Sequence, residues 1–113
     1  VILVGDSMEA TGLSDGQYQL GGLDVTVKGK RATLKSGTIA GSASNLMECL
    51  KVAVKEMGIP LEKAAMSATA HPAKSIGIYN SVGSITAGKQ ANLIILDENL
   101  EIANIVMRGK IIK

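Results

Sequence analysis

The spacing of hydrophobic and polar positions changes period three times along the chain. Val1 to Val4 form an unbroken apolar run without alternation, the pattern of a short strand buried on both faces of a parallel sheet or barrel. Gly5-Asp6 ends it. Between Thr11 and Ser42 glycines at 12, 16, 21, 22, 29, 37 and 41 separate short pieces. Within them Val25 and Val27 alternate with Thr26, and Gly29-Lys30 is a turn pair, so "LDVTVKGKRATL" predicts a β-hairpin. From Ser44 the period becomes helical: Leu46, Leu50, Ala53, Val54 and Met57 recur on one face. Ser42 or Ser44 can cap this helix, and Gly58 with Pro60 stops it. "LEKAAMSATA" predicts a second helix ending at or near Pro72, and "AKSIGI" a further helical turn. After Asn80 the pattern returns to β, with "ANLIILD" as a strand and "IANIVMRGKIIK" as a hairpin turning at Arg108-Gly109.

Composition narrows what such elements can build. The 113 residues are 46% hydrophobic but contain no Trp, no Phe and two Tyr. Any core is therefore aliphatic, and aromatic platforms for stacking bases are nearly absent. A net charge of +2, spread along the chain, gives no footprint for nucleic acid or an anionic membrane. The one basic cluster, "KGKR" at 28–31, reads as a solvated hairpin tip rather than a phosphate tether. Cys49 is the single cysteine, so no intrachain disulfide forms, which suits a reducing compartment. No segment reaches the ~18 apolar residues of a membrane span, and a cytoplasmic location is expected. The chain lacks an initiator Met and begins inside the predicted strand. A piece of a longer protein is expected, one that associates or aggregates unless its aliphatic surface is covered.

Most chemically suggestive features have a plainer explanation. "GSITAGKQ" fits G-x-x-x-x-G-K of a phosphate loop, but Gln90 stands where Ser or Thr should hold Mg2+, and a strand follows instead of a helix. Gly83 and Gly88 are turn residues on this reading. His71 is the only histidine, and one imidazole with one thiol cannot close a zinc site. Cys49 lies near the apolar helix face as a filler, and the methionines fill the core, with Met8 beside Asp6 left open. The Lys and Glu of "ECLKVAVKE" read as a solvated flank. Asp6 is different, because an acid directly after a buried barrel strand stands on the active-site face. Asp is also a common turn former, so position alone leaves both roles open. "GTIAGS", 37–42, offers small residues and the approach to a helix N-terminus.

"GSITAGKQANLIILD" resembles the C-terminal signature of the amidohydrolase superfamily, and "ATAHPAKSIGI" resembles the segment preceding it. "VGDSMEATGLSDGQYQLGG" and "GTIAGSASNLMECLKVAVKEMGIP" more specifically resemble the N-acetylglucosamine-6-phosphate deacetylase family over its final third. The resemblance implies an α/β fold: residues 1–80 as the last strand and helices of a TIM-type (β/α)8 barrel with a hairpin insertion at 16–36, and 81–113 as strands of a small β-sandwich. It further implies Asp6 as the catalytic acid and Ile39, Ala40 and Gly41 as a loop contacting the substrate sugar. Family members usually carry Thr at the position of Gly5.

The implied reaction is hydrolysis of N-acetylglucosamine 6-phosphate to acetate and glucosamine 6-phosphate in amino-sugar catabolism, by a homodimer using a divalent ion such as Zn, Fe or Mn. A metal lowers the pKa of water and polarises the amide. A carboxylate moves the proton from water to the leaving amine. The ligands, a Glu and histidines, and the phosphate-binding residues are expected upstream, with neither Glu9 nor His71 matching them. The piece alone is expected to be inactive. Two other readings stand beside this one: another metal-dependent amidohydrolase, and a noncatalytic interaction module.

Overall fold

The computed structural model describes all residues, Val1–Lys113. In chain order, a small antiparallel sheet is followed by three helices and then by a second small antiparallel sheet. The first sheet runs β1 (Gly16–Leu20), β2 (Leu23–Lys28), β3 (Arg31–Leu34) and β4 (Ile39–Ser42), in that spatial order. Helices α1 (Leu46–Lys55), α2 (Leu61–Ala68) and α3 (Ala70–Ser75) follow, and then the second sheet of β5 (Leu93–Leu96), β6 (Ile102–Met107) and β7 (Lys110–Ile111).

The predicted hairpin is present, with Lys28 opposite Arg31 and Gly29 at φ 63° in its turn. Alternation directs Val25, Val27 and Ala32 inward, where they join Ala10 in a first aliphatic core. Met8 packs against that core too, as a filler. The sheet is larger than the pattern suggested. β1 pairs with β2 from Gly16 opposite Val27 to Leu20 opposite Leu23, and "IAGS", expected as a loop, is a strand paired to β3.

Helix α1 starts one residue beyond the expected caps. Asn45 and Glu48 form a reciprocal capping box, in which the Asn45 side chain accepts from the Glu48 N–H and Glu48 accepts from the Asn45 N–H. Leu50 and Ala53 are buried against Ala64 of α2, with Leu3, Met47, Val54 and Leu96 around them. Leu46 and Met57, expected on this face, are exposed. Gly58 ends the turn at φ 69°, returning the Ile59 N–H to the Ala53 carbonyl. The second predicted helix divides at Thr69. Pro72 lies inside the first turn of α3 rather than ending a helix, a position where its missing N–H costs no bond.

Val1–Val4 is irregular chain, not a strand. A strand exists only in a ladder, and the sole backbone bond of this run is from the Leu3 N–H to the Ser67 carbonyl. His71 holds its start, donating from Nδ1 to the Val1 carbonyl at 2.9 Å. The molecule is elongated at 49 × 28 × 28 Å, with a radius of gyration of 16.2 Å against about 13 Å for a compact chain of this length. Its surface of 7831 Å² exceeds the roughly 5,900 Å² of a monomer of this mass. No helix is long and apolar enough to cross a membrane.

Candidate functional site

The site begins where residues 6–8 run alongside β4. Ser7 bridges Ser42 in parallel. The Ser42 N–H donates to the Asp6 carbonyl at 3.2 Å, and the Met8 N–H donates to the Ser42 carbonyl at 3.1 Å. These bonds fix Asp6 by its backbone. Its φ is 47°, in the left-handed region that Asp enters more readily than most residues. An Asp acting only as a turn former would spend its carboxylate on a nearby backbone N–H. Asp6 does not: its side chain is exposed, with no hydrogen bond or ion pair from the protein.

Asp6 lines an open groove of about 570 Å³ together with Lys30, Arg31, Ile39, Gly41 and Ser42. Three of the four residues singled out from sequence thus share one surface. Ala40 does not line it. The β3–β4 register passes from Ala32 opposite Gly41 to Thr33 opposite Ile39, leaving Ala40 as the extra residue of a bulge, and it packs on the first core. Such a bulge re-aims its neighbours. It presents Ile39 and the bare Gly41 backbone to the groove, while Ala40 anchors them from behind.

Lys30 and Arg31, expected at a solvated hairpin tip, both line the groove. The overlooked signal is strand alternation: with Ala32 inward, Arg31 must point outward, on the side that β4 turns toward Asp6. Lys30 is held by Glu48, with Nζ 2.6 Å from Oε1. That bond, helped by the Asn45 N–H and the charge of Lys51, keeps the Glu48 carboxyl below its ordinary value. The acidic and basic flank of α1 is therefore more than a solvated surface. Lys51 pairs with Glu101 at 2.6 Å and Lys55 donates to the Asn99 carbonyl, tying α1 to the turn before β6.

The other candidates take structural places. Lys89 of the phosphate-loop lookalike lies 3.4 Å over the Tyr79 ring, with Lys74 at 4.6 Å on the same tyrosine. The neighbouring Ser84 side chain and the charge of Lys89 lower the Tyr79 pKa. Cys49 is half-buried. No three His, Cys, Asp or Glu side chains converge as a metal site, so the residues of this chain do not by themselves hold the ion that the resemblance implies.

Comparison with known proteins gives this groove a context. The model of the amidohydrolase family matches residues 10–112. N-acetylglucosamine-6-phosphate deacetylase of Bacillus subtilis is 38% identical over 98% of the chain, and the protein of that name from Caenorhabditis elegans is 34% identical over 97%. Among solved structures, N-acetylglucosamine-6-phosphate deacetylase from Pasteurella multocida superposes with a TM-score of 0.93 at 31% identity, covering 97% of this chain and 29% of that one. An aspartate-to-alanine mutant of the Mycobacterium smegmatis deacetylase, in complex with N-acetyl-D-glucosamine-6-phosphate, superposes with a TM-score of 0.86 at 33% identity, over 97% of this chain and 30% of the other. The chain spans only 28% of the Bacillus subtilis protein's length. With the family model matched over nearly its whole length, the chain belongs to the amidohydrolase family and is a homologue of the N-acetylglucosamine-6-phosphate deacetylases.

Proposed function

We propose that the chain forms one wall of the active site of a deacetylase acting on N-acetylglucosamine 6-phosphate, with Asp6 as its proton-transfer group. The observation that carries this reading is Asp6, clamped by its backbone, with its carboxylate unpaired, and lining the same groove as Ile39 and Gly41. On this reading residues 1–80 belong with a (β/α)8 barrel and 81–113 with a β-sandwich, in a homodimeric longer protein whose other residues hold a divalent ion. That ion would polarise the amide carbonyl and acidify water.

What this chain contributes is proton movement and positioning. The Asp6 carboxylate accepts a proton from the attacking water and returns it to the nitrogen of the leaving amine, so one group serves as base and then acid. Its backbone clamp limits its travel to side-chain rotation. Ile39 gives the sugar ring an apolar contact, and Gly41 lets it approach the main chain closely. Met8 and the Asp6 carbonyl lie 3.7–3.8 Å from where a Cβ on Gly41 would stand. A larger residue there would press on Met8, which packs against the first core.

The test is acetate release by the full-length protein with each divalent metal, comparing wild type with Asp6→Asn. Loss of a general acid–base group is expected to lower kcat by about 10²–10⁴-fold with fold and metal content unchanged. A wild-type protein inactive with every metal would end the deacetylase reading. An active Asp6→Asn enzyme would return Asp6 to a turn role. N-acetylgalactosamine 6-phosphate belongs in the same assay, because N-acetylgalactosamine-6-phosphate deacetylase of Escherichia coli O157:H7 is 32% identical over 98% of the chain.

A further inference from the structure

We infer that Ser7 is a positioning residue for Asp6, and that position 5 is glycine to leave the Ser7 hydroxyl its place. The inference deepens the deacetylase reading and rests on it, since it concerns how the proton-transfer carboxylate is aimed. Ser7 does not line the groove. Its hydroxyl turns to the entry of α1 and donates to the Ser44 carbonyl at 3.2 Å. That acceptor is itself held in place, because the Ser44 N–H donates to Ser42 Oγ at 3.0 Å and the next residue, Asn45, caps the helix.

The peptide joining Asp6 to Ser7 is thereby anchored on both sides. The Asp6 carbonyl accepts from the Ser42 N–H, which ties it to β4, and the Ser7 hydroxyl ties the next residue to α1. With one of these bonds alone the peptide could swing about it. Asp6 at φ 47° is in a left-handed conformation, which a non-glycine residue keeps only where its surroundings over-determine it. Two anchors do so, and they set the direction in which the Asp6 side chain leaves the chain. Gly5 completes the arrangement for a steric reason, since its own φ lies outside the left-handed region. A Cβ at position 5 would stand 3.2 Å from Ser7 Oγ. The movable partner in that contact is the Ser7 side chain, and moving it gives up the bond to Ser44.

The experiment uses the full-length protein and acetate release from N-acetylglucosamine 6-phosphate. The variants are Ser7→Ala, Ser7→Thr, Gly5→Ala, the Gly5→Ala/Ser7→Ala pair, and Ser7→Ala on an Asp6→Asn background. Ser7→Ala is expected to lower kcat about tenfold, less than the ~10²-fold of a full 1 Å misplacement. KM should change by less than about twofold, the split expected when binding contacts are untouched. Ser7→Thr keeps the hydroxyl and should stay within about threefold of wild type, since the hydrogen bond survives. Gly5→Ala should lose about as much as Ser7→Ala, and the pair no more than either, because both changes remove one bond. On the Asp6→Asn background Ser7→Ala should have no further effect, whereas a residue serving only the fold would impose its loss there too. Losses that multiply in the pair, the full loss on the Asp6→Asn background, a loss confined to KM, or an unchanged kcat in Ser7→Ala would overturn the assignment to Ser7. A wild-type enzyme inactive with every divalent metal, or an Asp6→Asn enzyme as active as wild type, would instead overturn the reading of Asp6 beneath it, which separates the two failures.

Discussion

The two sheets of this chain are both antiparallel and aliphatic, yet they are packed in opposite ways. In the first, Val25 and Ala32 are 0% exposed, and Val27 is 2% exposed. In the second, which is the more apolar in sequence, no strand residue is buried: Ile94 is 55%, Ile95 50% and Ile111 74% exposed. Hydrophobicity therefore does not decide burial here; a covering segment does. The first sheet receives its cover from neighbouring chain, since Met8, Ala10 and Ala43 pack against its buried residues beside Tyr18 and Leu34 of its own strands. The second has only Leu96 reaching the helix core, and polar ties from Lys51 and Lys55 to its turn. Functionally the difference is apt, because the groove and Asp6 are built on the sheet that can hold its own shape.

The largest effect expected from this contrast comes from placing one charge in each sheet. Val25→Asp would bury an unpaired carboxylate and should cost about 4 kcal/mol or more, unfolding the first sheet. Ile95→Asp adds the same charge to a half-exposed site and should shift stability of the 113-residue chain by only about 0.5 kcal/mol. It should also reduce self-association in sedimentation, since an aliphatic sheet face has been broken. Urea denaturation of both variants is the measurement. Equal costs would break the comparison, by showing that the second sheet has a buried face after all.

A smaller effect should come from the anchor of the second sheet. Gly83, in the segment leading to β5, has φ 94°, and a Cβ there would stand 2.8 Å from the Ala73 Cβ and 3.1 Å from the Tyr79 ring. Left-handed strain and overpacking together predict roughly 2–4 kcal/mol for Gly83→Ala. Gly88→Ala shares the backbone conformation, at φ 90°, but meets nothing within 4 Å. Its cost should stay near the backbone strain alone, about 1–2 kcal/mol. Thermal denaturation of the pair would sharpen the comparison, separating a sheet held by its neighbours from one held by its own core.

Local pairing explains what the sequence made readable. The hairpins at 23–34 and 102–111 were legible because each strand's partner lies across a short turn, so alternation and Gly29 or Gly109 mark both halves. The helical face of Leu50 and Ala53 was legible for the same reason of short-range periodicity. β4 was not, because its pairing skips Ala40, and a bulge erases alternation in a strand of four residues. Val1–Val4 misled in the other direction: its composition favours a strand, but no ladder forms beside it. At the site, Asp6 and Ile39 could be singled out by resemblance. Arg31 could not, since its place at the groove depends on the register with Ser42, a product of tertiary contact.

The ion pair that occupies Lys30 yields the smallest expected effect and the finest test of how the groove sheet is held. Glu48 joins the tip of the β2–β3 hairpin to the start of α1, and its folded pKa lies below the ordinary 4.5. A depressed carboxyl pKa means that the folded state favours the ionised form. Its contribution is present above about pH 4.5 and is lost as pH falls through the lower folded value. Glu48→Gln keeps an acceptor for the Asn45 N–H but removes the charge facing Lys30. The variant should be less stable than wild type by a few tenths of a kcal/mol at neutral pH, the scale of a partly exposed pair, and the gap should close on acidification. Thermal melts of both proteins from pH 7 down to pH 3 give the check. A gap unchanged across that range would assign the hairpin's attachment to the capping hydrogen bonds and backbone ladder, leaving Lys30 free to face the groove.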